Sequence, residues 1–133
     1  MESWYCFIKK DAKIVMLGGD HGVKKKDIDE IFKKLGLPAN SYLHVPYDEI
    51  TNHDIGKYTN SYIYSDVFIG ATPHKAKNIG NSSSVLSYLL KNKEAFPKIT
   101  IFENEVGSLL QFTKSNLEKN IMNSDLYASL HGI

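Results

Sequence analysis

Arginine is absent from this chain: all sixteen basic residues are lysine. The bidentate guanidinium fork that reads guanine edges or clamps carboxylates is therefore missing, and anion recognition must rest on lysines, hydroxyls and backbone amides. Cysteine is nearly absent too. Cys6 stands alone, which excludes an internal disulfide and a cysteine-rich metal site and fits a reducing, cytoplasmic setting. Long apolar runs are lacking, so no membrane span is expected, and the opening residues show no apolar core followed by a cleavage site, so no signal peptide is expected. Excess charge of either sign is also missing. A formal net charge of +1 provides no global field to draw the protein to nucleic acid or an anionic membrane.

What is present fits one α/β domain spanning residues 1–133, with 42% apolar residues to build a single core. Short apolar runs alternate with helix-periodic stretches. Residues 3–8 favour a strand by aromatic content, either as an antiparallel edge hairpin with the next run or as an N-terminal extension. Residues 13–17 read as a buried strand ending at Gly18-Gly19. Residues 24–35 read as a helix with Val23, Ile28, Ile31, Phe32 and Leu35 on one side, stopped by Gly36. A strand over 41–46 and a weaker helix over 51–62 follow; the latter has Thr51 or Asn52 as N-cap and Ile55, Tyr58, Tyr62 and Ile63 facing inward. Strands are then expected over 66–70, 97–102 and 109–112, with helices over 82–92 and 115–123. Ser115 and Glu118 read as the capping box of the last helix.

This alternation predicts a three-layer sandwich with a mostly parallel, flavodoxin- or Rossmann-like sheet in the order 2-1-3-4-5. In that order the C-terminal ends of the first and third strands meet at the switch point, where open α/β sheets take ligands. Two unusual loops would converge there: Gly18-Gly19-Asp20-His21-Gly22 and the stretch from Gly70 to Ser84. The second carries Thr72, His74, Lys75 and Lys77 and ends in Ser82-Ser83-Ser84, at the mouth of a helix. Lysines supply charge, while hydroxyls and helix amides supply directed donors for an anion. The candidate ligand-binding set is Gly19, Asp20, Thr72, Lys75, Lys77, Ser82, Ser83 and Ser84. Candidate acid–base groups are His21 and His74, with Glu103 as a carboxylate reaching the same edge. The plain alternatives are a capped, solvated loop for 72–84 and a simple turn for 18–22.

The two segments VMLGGDHG and SDVFIGATPHKAKNIGNSSS resemble small Rossmann-like nucleotide-ligand domains: the nucleoside deoxyribosyltransferase-like, TIR-like and SLOG-like groups. The resemblance spans the sheet to about Phe102 and implies binding or cleavage of a nucleotide at this edge. Glycosidase-like members carry a glutamate on the helix after the third loop, whereas residues 82–92 contain no acid. Binding of a phosphorylated or nucleotide-type small molecule is thus the leading expectation. The alternatives are an enzyme that hydrolyses or transfers such a molecule, and an interaction module whose Trp4 and Tyr5 form a homodimer or partner surface.

Other chemistry finds no support in the sequence. There is no G-x-S-x-G elbow, Walker loop or G-x-G-x-x-G, and Gly18-Gly19 replaces the acidic pair of a phospho-receiver. His21 and His74 with Asp20 or Glu103 lack close metal-ligand spacing, so neither a metal nor a cofactor is expected.

Overall fold

A computed structural model describes residues 11–132. The strand expected over 3–8, its hairpin, and Trp4, Tyr5 and Cys6 lie outside the described residues. The elements in order are β1 (Lys13–Leu17), α1 (Lys25–Lys34), β2 (Tyr42–Val45), α2 (Tyr47–Ile50), β3 (Tyr64–Ile69), α3 (Val85–Lys91), β4 (Lys98–Ile101), α4 (Lys114–Met122) and α5 (Asp125–His131). A short 3-10 helix, Ile55–Tyr58, sits between α2 and β3.

The four strands form one parallel sheet in the order β2-β1-β3-β4, flanked by helices. Leu17 pairs with Val45 and Ile69, and Ile69 with Ile101, so all four strands end at one level. Their following loops emerge on the same edge. Period-2 alternation sends neighbouring strand residues to opposite faces. Ile14, Met16 and Phe68 pack with Ile28, Ile31 and Phe32 of α1, Leu117 and Ile121 of α4, and Leu126 of α5. Val15, Leu17, Val67 and Ile69 pack on the other side with Ile50, Ile55, Tyr58, Val85 and Leu89. Each such fully buried side chain contributes roughly 1.5–3 kcal/mol.

Helix α1 follows its periodicity. Asp27 accepts the Lys24 amide at 3.0 Å, Lys33 and Lys34 occupy the last turn, and Gly36 reverses the chain at φ +74°. Three expectations need correction. Residues 51–62 do not form one helix: α2 ends at Ile50, and the Asp54 carboxylate starts the 3-10 turn by accepting the Gly56 amide at 3.0 Å. Ile55 and Tyr58 are buried there, but Tyr62 and Ile63 are 47% and 52% exposed. Asn60 takes φ +52° with its amide on Ala95 O, which stops any helical continuation. Residues 109–112 are not a fifth strand, since they cross the strand ends rather than extend the sheet. The cap of α4 is Thr113, not Ser115: Thr113 Oγ1 accepts the Asn116 amide at 3.1 Å, and Asn116 Oδ1 accepts the Thr113 amide at 2.7 Å.

The tail after α4 docks as α5. Asp66, wholly buried in β3, receives it: Oδ1 accepts the Asp125 amide at 3.0 Å and Oδ2 the Leu126 amide at 3.1 Å. Among the described residues no helix is long and apolar enough to cross a membrane.

Candidate functional site

The loops after β1 and β3 meet main chain to main chain. Gly18 and Gly19 take φ +68° and +63°, the left-handed region that favours glycine. A Cβ on Gly18 would stand 2.1 Å from Ala71 O, and one on Gly70 would stand 3.1 Å from the Gly19 Cα. The Gly19 amide donates to Ala71 O at 2.9 Å. The convergence expected from strand order is therefore present.

The space between these loops is filled by the chain itself. Residues 108–112 strap across the strand ends: the Ala71 amide donates to Leu110 O and the Phe112 amide to Gly19 O, each at 2.8 Å, while the His21 amide donates to Gln111 Oε1 at 3.1 Å. The fully buried Phe112 ring lies where a Gly19 side chain would be, 2.8 Å from its Cβ position. The amides of Gly18, Gly19, Gly70 and Ala71 all donate to main-chain carbonyls. The glycines serve close packing of backbone, and these four donors are engaged within the protein.

Beside the strap a crevice of about 410 Å³ opens onto the same edge. Thr72, Pro73 and His74 form one wall, Ser84 and Leu86 a second, and Tyr47, Gly107 and Leu109 close it. Thr72, His74 and Ser84 are thus brought together. Asp20 acts one step behind them: its Oδ1 accepts the Tyr47 amide at 2.7 Å, pinning the start of α2. His21, exposed, sets its ring 6.2 Å from that of Tyr47. Glu103 does not line the crevice; its Oε2 lies 4.0 Å from the position of a Gly107 Cβ.

The remaining candidates spread out. Lys75, exposed, reaches Ser82 O with its Nζ at 3.5 Å. Lys77 is tied by its main chain to the His53–Asp54 segment, the amide donating to His53 O at 3.3 Å. Ser82 is buried, and Ser83 shares a hydrogen bond with Ser87 Oγ at 3.2 Å. Ser84 is the N-cap of α3, its Oγ accepting the Ser87 amide at 3.0 Å. Of the three serines, Ser84 is the one that lines the crevice.

Tyr47, Leu86, Gly107 and Leu109 were not singled out from sequence. The available signal was Pro46-Tyr47, an aromatic directly after a strand at the ligand-bearing edge. Larger hollows lie elsewhere, about 450 Å³ along β4 and about 520 Å³ beside the end of α1. Their walls mix apolar side chains with lysines and carboxylates such as Lys93, Glu94, Asp29 and Lys33, whereas the crevice at the strand ends gathers hydroxyl, imidazole and phenol groups. Among the described residues no group of three His, Cys, Asp or Glu side chains stands close enough to hold a metal. Comparison of the chain with protein-family models, with curated proteins and with solved structures gives no match.

Proposed function

We propose that the protein binds a phosphorylated or nucleotide-type small molecule in the crevice at the strand ends. The observation that carries this reading is the meeting of Thr72, His74 and Ser84 with the Tyr47 ring over the C-terminal edge of β3. A polar cluster facing an aromatic and aliphatic wall suits a ligand with one charged end and one apolar face. Thr72 and His74 supply hydrogen bonds, and Lys75, exposed on the same loop, supplies a positive charge. With the amides of Gly18, Gly19, Gly70 and Ala71 engaged by main-chain carbonyls, recognition falls to side chains.

A thermal-shift panel of mononucleotides, sugar phosphates and inorganic phosphate tests the reading. A ligand specific for the folded state at a hundred times its Kd adds about 2.7 kcal/mol. The expected result is a raised midpoint with at least one phosphorylated compound, reduced in His74→Ala and Thr72→Ala. A panel that leaves the midpoint unmoved refutes it.

One placement favours a second reading, turnover of the bound molecule. His74 lines the crevice and Glu103 stands next to Gly107 of its lining, two groups suited to proton transfer. Chromatography of the same panel after incubation separates the readings: product that disappears in His74→Ala supports turnover, and unchanged compounds leave binding alone.

A further inference from the structure

The loop bearing Lys75 and Lys77 is held from below by a segment whose own anchor is a histidine. Tyr58 is completely buried, and its hydroxyl meets His53 Nε2 at 2.5 Å, the two rings lying nearly parallel. The His53 carbonyl accepts the Lys77 amide at 3.3 Å, and Asp54 bridges to Lys77 in parallel strand fashion. One short segment thus connects a buried phenol to the basic loop.

We infer that His53 is a proton-sensitive latch that sets whether residues 75–78 stay docked against residues 53–54. Neutral imidazole accepts the Tyr58 proton through Nε2. Once protonated, both ring nitrogens are donors, so Nε2–H would face the Tyr58 O–H. The phenol, completely buried, would then lose its acceptor and have to turn its proton away from the imidazole. Moving the imidazole outward relieves this and carries the His53 carbonyl away from Lys77. Charged groups around the ring are Lys57, Asp54 and Glu49; Lys77 approaches by its main chain, and Tyr64 packs edge-on against Tyr58. Burial, seconded by Lys57, holds the imidazole below its usual value of 6.5, against the opposing pull of Asp54 and Glu49. The neutral form is therefore the folded form, and the docking contribution is lost as pH falls below 6.5 through the folded value. The inference concerns the loop and stands whether or not the crevice takes a ligand.

Amide hydrogen exchange resolved by NMR, with His53 followed through its ring proton shifts, is the test. In the wild type the Lys77 protection factor should fall roughly tenfold or more as pH drops through the His53 midpoint. In His53→Gln, which retains an acceptor for Tyr58 and does not titrate, Lys77 protection should be flat with pH. In Tyr58→Phe, which removes the conflicting hydroxyl, it should also be flat. Protection of Lys77 that ignores the His53 midpoint in the wild type overturns the inference. So does a pH-dependent loss that persists in either variant.

Discussion

Replacing Asp66 with asparagine changes one atom of the side chain at the point where the C-terminal helix joins the sheet. Asp66 is the buried carboxylate among the described residues, and it accepts the two leading amides of α5. Burial raises its pKa from 3.8 to about 6, although the Asp125 amide, Ser65 and the Leu126 amide pull the other way. The folded protein therefore binds a proton at Asp66 more readily than the unfolded chain does. Stability from this group is fully present below pH 3.8 and is lost as pH rises through about 6. The shift corresponds to roughly 3 kcal/mol. Asparagine does not titrate, and it aims an amide donor at one of the two α5 amides, a mismatch costing about 1–3 kcal/mol. Urea unfolding followed by circular dichroism at pH 4, 5, 6 and 7 isolates the effect as wild type minus Asp66→Asn. The variant should be the less stable at pH 4, and the difference should shift in its favour by roughly 2.5 kcal/mol by pH 7. Asp66→Ala strands both amides and should cost about 2–5 kcal/mol at pH 4, with the same shift toward pH 7 because alanine does not titrate either. A gap that stays constant from pH 4 to 7 refutes the reasoning, because the carboxyl would then titrate as in the unfolded chain.

Two further substitutions test the fold around the crevice. Thr113→Ala should cost about 1 kcal/mol by removing the α4 cap, whereas Ser115→Ala should change stability by less than about 0.5 kcal/mol; equal losses in urea melts would contradict the assigned cap. Gly18→Ala combines a left-handed backbone, itself costing about 1–3 kcal/mol in a residue with a side chain, with a Cβ placed 2.1 Å from Ala71 O. The loops after β1 and β3 must then separate, and the variant should be strongly destabilised in thermal melts; a midpoint within a few degrees of wild type would contradict the close main-chain contact.

Local pattern made much of the architecture legible. Ile14 to Leu17 and Val67 to Ile69 are apolar runs flanked by polar or glycine residues, and α1 carries its own start and stop in Asp27, Lys33, Lys34 and Gly36. Strands alternating with such helices leave few topologies, so the parallel sheet and the meeting of the loops after β1 and β3 followed from order alone. Thr72, His74 and Ser84 come together because they flank one strand end and the next helix start, a local consequence of chain direction.

Contacts between distant segments decided the rest. Ile55 and Tyr58 stand three apart, a spacing that an α-helix and a 3-10 turn share, and the choice was made by Asp54, Asn60 and the buried phenol on His53. Thr113 with Asn116 and Ser115 with Glu118 offer equally spaced polar pairs, and docking selected the first. Asp66 reads as an ordinary polar residue at a strand start until α5, nearly sixty residues later, brings it two amides. The largest departure concerns the crevice. Gly18, Gly19 and Gly70 look from sequence like the parts of an anion cradle, since glycine marks a place where something must approach the backbone closely. Sequence determined that close approach; only tertiary structure decided what approaches, and it is the protein's own chain: Ala71 O against Gly18, and the strap's Phe112 ring on Gly19 and Leu110 O against Gly70. Backbone amides take whichever acceptor the folded chain places nearest, and that choice is not written in the residues that carry them.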